Sequence, residues 1–264
     1  MRTATATILA ILLSVPTWAQ SPSAVLAPTG TLRAVFLGAN PVQGRFDPQT
    51  GTSTGTVPDV VREFARRLGV PFTIASSPDA AGIIAALKNH SVDIGFLAYD
   101  ETRAREVDYG APVVVMRNSY LVPASSAIQR SADVDRAGVT VAAVKGQTQE
   151  LFVSSHFRNA RVRVLPTMPP QAEVERLLTS GEVSAFAINR QRSLEAQAAA
   201  GSKLRVLADS FLDVDQCFVV AKGDSAKLAP IASFTAELRT SGFIRSAIDR
   251  AGISGVDVAS PPGR

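Results

Sequence analysis

Short apolar runs alternate with longer amphipathic segments along the chain. The runs at 32–38, 72–76 and 92–98 have the length and composition of buried strands, and the segments at 57–70 and 80–91 have apolar residues at helical spacing. Strands and helices in this order predict an α/β chain with mostly parallel sheets, because a helix carries the chain back between parallel strands.

A second series of the same kind follows. Strands are predicted at 139–146 and 183–189, with helical segments and a further strand between them, and the chain closes with two amphipathic helices and a polar tail after Gly252. The segment at 40–56 is rich in Gly, Pro and Thr and is predicted to be a loop. The chain therefore contains two similar α/β units.

Two segments are predicted to connect these units. The run at 112–125 is β-branched, is interrupted by Arg117, and exceeds the usual strand length of about five or six residues. Together with a strand near 212–221, it predicts two α/β lobes joined by two crossings, which implies a hinge. The predicted lobes comprise residues 27–113 with 220–264, and residues 118–216.

The first 19 residues have the organisation of a secretory signal peptide. Arg2 precedes an apolar run from Ile8 to Val15, and Pro16 and the small Ala19 follow it. The apolar run is too short to span a bilayer, and a buried N-terminal helix is the alternative interpretation. We expect cleavage near Ala19 and export of the mature protein.

Composition argues against several classes of function. The 27 basic and 23 acidic residues give a formal charge of +4 with no block of either sign, so nucleic acid is not an expected partner. Cys217 is the only cysteine, and its apolar neighbours indicate a small buried side chain rather than a nucleophile. Nucleophile-elbow, zinc-protease and phosphate-loop motifs are absent from the sequence, so neither a cofactor nor a metal is expected.

Polar side chains follow several predicted strands at their carboxyl ends, where open parallel sheets bind their ligands. Arg103 follows the strand that ends at Ala98, Thr148 follows a glycine turn, and Asn189 ends its own strand. A carboxylate would suit a cleft that presents a guanidinium, helix-start amides and an amide side chain. Each residue also has an ordinary alternative role, as a helix cap for Thr148, a turn residue for Asn189 and a surface ion-pair partner for Arg103.

Four stretches resemble the bacterial family 3 extracellular solute-binding proteins, the periplasmic receptors of polar amino-acid importers. They are GTLRAVFLGANP, GTVPDVVREFARRLGV, KNHSVDIGFLAYDETRAREVDYGAPV and VAAVKGQTQE. The likeness extends over residues 30–250 with the spacing kept. It implies a two-lobed type II periplasmic-binding-protein fold and a periplasmic protein whose partners are an inner-membrane ABC permease and its ATPase.

The resemblance also implies roles for individual residues. Arg103 matches the family's arginine that holds the ligand's α-carboxylate, and Thr148 matches the threonine of the second lobe's glycine turn, with Gln147 beside it. Phe96 and Ala98 match positions whose backbone groups contact the ligand, although Ala98 lacks the hydroxyl that is common there. These residues form the ligand-binding site that the resemblance predicts.

Three departures from the family pattern bear on the ligand. Asn189 stands where the family has the aspartate that binds the α-ammonium group of an amino acid, Asn40 replaces an aromatic residue, and Gln43 replaces a common phenylalanine. An ammonium left unpaired in a closed cleft costs on the order of a few kcal/mol. We therefore predict a small organic acid or another anionic metabolite, with amino acids and their derivatives as the alternative.

Further positive charge is expected in the cleft from Arg117, Lys145 and Arg190. The predicted protein is a binding receptor rather than an enzyme, whose lobes close over a small carboxylate-bearing ligand for delivery to the permease. Two alternatives stay open. One is an enzyme like cyclohexadienyl dehydratase, with Glu173 as a candidate general acid, and the other is a sensory receptor whose closed form signals.

Overall fold

The computed structural model describes residues 21–38 and 40–261. The predicted signal peptide at residues 1–19 lies outside these ranges. Within them the chain forms eight α-helices, none of which is long and apolar enough to cross a membrane. The helices are α1 (Pro22–Leu26), α2 (Thr56–Leu68), α3 (Ala80–Lys88), α4 (Thr148–His156), α5 (Gln171–Thr179), α6 (Arg190–Ala200), α7 (Leu228–Thr240) and α8 (Phe243–Ala251).

The strands of the described residues form one large sheet and one small hairpin. The large sheet has the order β4-β1-β5-β11-β6-β9-β7-β8, with β10 and β12 paired to β6, and the hairpin consists of β2 and β3. The strands are β1 (Leu32–Leu37), β2 (Arg45–Asp47), β3 (Thr52–Thr54), β4 (Phe72–Ser77), β5 (Ile94–Ala98), β6 (Val107–Pro123), β7 (Thr140–Val144), β8 (Arg161–Leu165), β9 (Ala185–Asn189), β10 (Leu204–Val206), β11 (Leu212–Ala221) and β12 (Val256–Val258).

The large sheet consists of two parallel halves joined by two long strands. In one half β1 pairs with β4 and β5, and in the other β7 pairs with β8 and β9. The long strands β6 and β11 lie between the halves and run antiparallel to each other. The predicted α/β class and the two crossings are therefore confirmed.

The buried apolar side chains divide between the same two halves. Two clusters draw their members from residues 26–116 and 218–256, and two others draw theirs from residues 120–207. We call the first pair of clusters with its strands and helices lobe 1, and the second pair lobe 2. The chain passes from one core to the other within β6 and within β11, and the lobe bounds derived from the sequence stay a prediction.

Local sequence signals explain most of these elements. In α2, Val60, Val61 and Phe64 repeat at helical spacing and are buried against the lobe 1 sheet. The helix ends at Gly69, whose φ of 68° lies in the left-handed region that glycine adopts without strain. This helix and its end are confirmed as the sequence predicted them.

Two segments differ from the prediction. The predicted loop at 40–56 contains the β2–β3 hairpin, because the Asp47 carboxylate accepts hydrogen bonds from Gln49 N at 2.8 Å and Thr50 Oγ1 at 2.8 Å and folds the turn back. The predicted polar tail contains β12, which pairs with β6 and buries Val256. All three strands, β2, β3 and β12, are three residues long, too short for their periodicity to be visible in the sequence.

Asp93 is a buried carboxylate that ties the start of β5 to β1. Its side chain is 1% exposed and accepts hydrogen bonds from Arg33 at N (2.9 Å), Nε (3.0 Å) and Nη2 (2.7 Å). We expect Asp93→Ala to lower the free energy of unfolding by about 2–4 kcal/mol, because removing one partner leaves the other donors unpaired. Urea denaturation followed by circular dichroism measures this loss.

The matched control for this prediction is Asp257→Ala. Asp257 forms an exposed ion pair with Arg117 at 2.8 Å, and such pairs contribute about 0–1 kcal/mol. Equal losses in the two variants would contradict a special role for the buried pair.

Candidate ligand-binding site

An enclosed cavity lies between lobe 1 and lobe 2, at the carboxyl ends of their parallel strands. The cavity opens to solvent on one side, and its lining residues come from both lobes. The apolar part of its lining comes from the ends of β1, β7 and β9 and from Pro78 and Met168. We call this space the interlobe cavity, and its polar lining residues are Asn40, Gln147, Gln149, Asn189 and Arg192.

Strand topology explains why polar residues gather here. β1 lies between β4 and β5, and β7 lies between β8 and β9, so successive connections leave each central strand toward opposite sides. A crevice forms outside the carboxyl ends of the strands at such a switch point. Asn40 and Arg103 follow β1 and β5 in lobe 1, while Thr148 and Asn189 mark the ends of β7 and β9 in lobe 2.

The structure distributes the seven predicted site residues over three places. Asn40, Gln147 and Asn189 line the interlobe cavity. A hydrogen-bonded group beside the cavity contains Arg103, Thr148 and Ala98. The seventh, Phe96, lies in the lobe 1 core, where its ring packs edge-on against another ring with centroids 5.0 Å apart.

Arg103 belongs to lobe 1 but contacts lobe 2 directly. It is 7% exposed, and its guanidinium donates from Nη1 to Ala98 O at 3.2 Å and to Thr148 Oγ1 at 3.5 Å. Its Nη2 donates to Gly146 O at 2.7 Å, in the turn that precedes α4. The predicted alternative of a surface ion-pair partner is wrong, because this side chain is buried between the lobes.

A short 3-10 turn holds Arg103 in place. Asp100 accepts hydrogen bonds from the backbone N–H groups of Thr102 at 2.9 Å and Arg103 at 3.1 Å. Burial raises the pKa of Asp100, but the hydrogen bonds from Thr102 and Arg103 outweigh burial and bring the pKa below its ordinary value. Tyr109 supports the same turn, since its hydroxyl donates to Ala98 O at 2.8 Å.

Asn189 presents a defined end of its amide to the cavity. The residue is 6% exposed and caps α6, because its Oδ1 accepts a hydrogen bond from Arg192 N at 2.9 Å. Only the oxygen of the amide can accept from a backbone N–H, so the Nδ2 group is the one left for a ligand. A carboxylate at this position would attract an ammonium group, whereas the Nδ2 group favours an acceptor.

Asn40 is oriented in the same way. Its Oδ1 accepts from Val42 N at 3.2 Å, which again leaves the Nδ2 group as the donor on the cavity side. Gln43, the other departure near β1, does not line the cavity. It is fully buried behind the cavity wall, accepts from Leu37 N at 2.9 Å and donates to Gln216 Oε1 at 3.2 Å, so it fixes the end of β1.

Gln149 connects the cavity to the crossing strands. Its Nε2 donates to Asn118 Oδ1 at 2.5 Å, and Asn118 Nδ2 donates to Leu212 O at 2.9 Å. Asn118 lies on β6 and Leu212 begins β11. The first turn of α4 is thereby fixed to both crossings, and sequence reasoning missed this residue.

Arg192 is the charged residue of the cavity lining that sequence reasoning also missed. It lies in the first turn of α6, three residues after Asn189, and it is half-buried. Burial lowers the pKa of its guanidinium, the nearby charge of Glu195 raises it, and the nearby charge of Arg45 lowers it again. Helical spacing from Asn189 is the sequence signal that would have found it.

The three cations that we expected in the cleft lie elsewhere. Arg190 Nη1 donates to Ser119 Oγ at 3.0 Å and to Leu207 O at 3.1 Å, within lobe 2. Arg117 pairs with Asp257 at 2.8 Å, and Lys145 is exposed and absent from the cavity lining. The expectation was wrong for all three, because the pleat of β6 and the turns after β7 and β9 direct these side chains away from the cavity.

The lining of the interlobe cavity is rich in donors. Among the residues that the structure describes, the lining contains the guanidinium of Arg192 and the amide groups of Asn40 and Asn189, and it contains no carboxylate. The amino ends of α4 and α6 also meet the cavity, and helix starts carry partial positive charge. This arrangement suits an anion and offers no charged partner for an ammonium group.

Glu173, the candidate general acid of the enzyme alternative, does not belong to this lining. It lies in the first turn of α5 and pairs with Arg176 at 2.7 Å with 40% of its side chain exposed. Hydrogen bonds from Arg176 hold the pKa of this carboxyl group below its ordinary value. An ionised carboxylate outside the cavity is a poor proton donor to a ligand inside it.

The family of the chain follows from its sequence and fold together. The model of the bacterial extracellular solute-binding proteins, family 3, matches residues 35–251, and the chain belongs to this family. The family shows the two-lobed type II periplasmic-binding-protein fold, which confirms the predicted fold class. A search of curated protein sequences finds no significant match.

Solved structures with the same fold come from binding proteins and from a sensor. The putative binding component of an ABC transporter from Wolinella succinogenes, complexed with lysine, is 22% identical with a TM-score of 0.71 and covers 84% of this chain and 95% of its own. An ancestral amino acid-binding protein, a precursor of cyclohexadienyl dehydratase, is 22% identical with a TM-score of 0.69 and covers 85% and 96%. A histidine kinase sensor domain is 20% identical with a TM-score of 0.69 and covers 87% and 98%. Identities at this level show a shared fold.

Proposed function

We propose that this protein is a periplasmic receptor of an ABC importer that captures a small carboxylate-bearing anion in the interlobe cavity. One observation carries the proposal: the described residues that line the cavity include amide donors and a guanidinium but no carboxylate. An α-ammonium group would enter this cavity without a charged partner, and the desolvation of an unpaired charge is costly. An anion would instead lose its hydrogen bonds to water and gain hydrogen bonds from donors that are already in place.

Arg103 is the residue that we assign to the ligand's carboxylate. Its guanidinium carries five N–H donors in a planar fork that matches a carboxylate, and it stands at the junction of the two lobes. In the structure Gly146 O and Thr148 Oγ1 each accept a hydrogen bond from this guanidinium. A carboxylate at the start of α4 is a stronger acceptor than either, and it would also bond to the helix-start amides.

Closure of the lobes is the proposed response to the ligand. Arg103 already links lobe 1 to the turn before α4, and a second contact joins Arg45 of the β2–β3 hairpin to Glu195 of α6 at 3.5 Å. A ligand that bonds to both lobes stabilises the closed state by its differential affinity for that state. The permease would then bind the closed receptor.

A calorimetric and thermal-shift screen of the purified mature protein tests this function. We expect small carboxylic acids to bind with micromolar affinity and to raise the melting temperature, because a ligand that binds only the folded state stabilises it. Glycine, glutamine, lysine and arginine should bind far more weakly than carboxylic acids of similar size. Micromolar binding of these amino acids without binding of any carboxylic acid would contradict the proposal.

A further inference from the structure

Arg192 and Arg103 place two guanidinium groups at two neighbouring helix starts. Arg103 reaches the turn before α4 through Gly146 O at 2.7 Å, and Arg192 lies in the first turn of α6. The strands that precede these helices, β7 and β9, pair in parallel with Val141 opposite Ala185. Paired strands lie about 4.8 Å apart, so the two helix starts are side by side at one edge of the sheet.

The interlobe cavity contacts both helix starts. Gln147 and Gln149 of the α4 start and Asn189 and Arg192 of the α6 start contribute to the same lining. A ligand bound to Arg103 at the α4 start therefore extends toward Arg192. An anionic distal group would form charge-assisted hydrogen bonds with the guanidinium of Arg192, which a neutral or cationic group cannot form.

The charges around Arg192 also favour a second anion. Arg45 of lobe 1 adds positive charge near Arg192, and Glu195, one turn further along α6, adds the compensating negative charge. The Glu195 carboxylate interacts with Arg45 at 3.5 Å and with Gln191 Nε2 at 2.9 Å, and it does not line the cavity. On the cavity side, the lining therefore contains Arg192 and, beside it, Asn189, whose Nδ2 group is a donor.

We infer that the ligand is a small dicarboxylate, with one carboxylate on Arg103 at the α4 start and the other on Arg192 and Asn189 at the α6 start. This inference rests on the proposed function and specifies its substrate class. Arg192 is then the residue that selects dicarboxylates against monocarboxylates, since it contacts only the distal carboxylate.

Isothermal titration calorimetry on matched ligands tests this inference. Malonate, succinate and glutarate are compared with propionate, butyrate and valerate, on the wild-type mature protein and on the variant Arg192→Gln. We expect the best dicarboxylate to bind wild type about 10- to 100-fold more tightly than its monocarboxylate, the usual effect of a hydrogen-bonded charge. Arg192→Gln should remove that preference, so that each dicarboxylate and its monocarboxylate bind with affinities within about twofold of each other.

The matched control is Arg161→Gln, which removes the same charge from an exposed residue of lobe 2 outside the cavity lining. It should keep the dicarboxylate preference, and a cooperative melting transition of each variant shows that the protein is folded. Equal binding of mono- and dicarboxylates by wild type, or a preference that survives Arg192→Gln, would overturn the inference while the proposed function stands. Absence of binding by every carboxylate tested would overturn the proposed function itself, and the inference with it.

Discussion

Carboxylate affinity is expected to fall by about 30-fold or more when Arg103 is replaced by methionine, because truncating one partner of a buried, hydrogen-bonded charge pair costs about 2–5 kcal/mol. Methionine has a similar length and fills the same space between the lobes without any donor. Arg103→Lys should fall between wild type and Arg103→Met, since it keeps the charge but loses the planar fork. Calorimetric titration with the best ligand of the screen measures both effects.

The fold should survive these substitutions at Arg103. Ala98 O keeps its hydrogen bond from the Tyr109 hydroxyl at 2.8 Å, and the turn around residue 103 keeps its backbone bonds to Asp100. The control is Arg105→Met, which removes an exposed guanidinium two residues away and should leave affinity unchanged. Wild-type affinity in a folded Arg103→Met protein would show that the carboxylate is held elsewhere.

A change of ligand class is the expected result of Asn189→Asp. Asp caps a helix as well as Asn does, so one carboxylate oxygen can keep the bond from Arg192 N that Asn189 accepts at 2.9 Å. The other oxygen then replaces the Nδ2 donor with a negative charge that faces the cavity. Because hydrogen bonds to charged groups contribute about 1.5–3 kcal/mol, affinity for carboxylic acids should fall about 10- to 100-fold and affinity for an α-amino acid should rise by a similar factor.

Asn189→Ser is the matched control for this change. Serine also caps a helix start but adds no charge, so Asn189→Ser should weaken carboxylate binding without any gain for amino acids. Competition titrations of each variant with a carboxylic acid and its α-amino analogue separate the two effects. A gain for amino acids in Asn189→Ser, or none in Asn189→Asp, would contradict the role of the Nδ2 group in excluding an ammonium.

Much of the architecture was predictable because it depends on local periodicity. The short strand-like runs that became β1, β4 and β5 and the apolar stripe of α2 each carry their signal within a dozen residues. The run at 112–125 predicted the long strand β6, because it is β-branched and exceeds the usual strand length. The β2–β3 hairpin and β12 were not predicted, because strands of three residues depend on pairing with a partner strand, and this pairing is not visible in the sequence.

The candidate site was predictable only in part. Strand ends and the likeness to a known family pointed to Arg103, Thr148 and Asn189. The position of a residue at or after the end of a strand can be read from its place in the sequence. Arg192 and Gln149 were missed, because the direction in which a helical side chain points depends on how the helix is rotated about its axis in the folded protein. Arg117 and Arg190 were expected there and lie elsewhere for the same reason.

The sequence by itself therefore determined the two-lobed α/β fold, the family and the loss of the ammonium-binding aspartate at position 189, all of which can be read from residue types in order. The tertiary structure alone decided that the Asn189 oxygen caps α6, that Arg103 bonds to the opposite lobe, and which arginine of α6 lines the cavity. The physical reason is that hydrogen-bond direction and burial depend on atoms that are distant in the chain and adjacent only after folding. The charge balance of the interlobe cavity, on which the proposed ligand class rests, arises from those contacts.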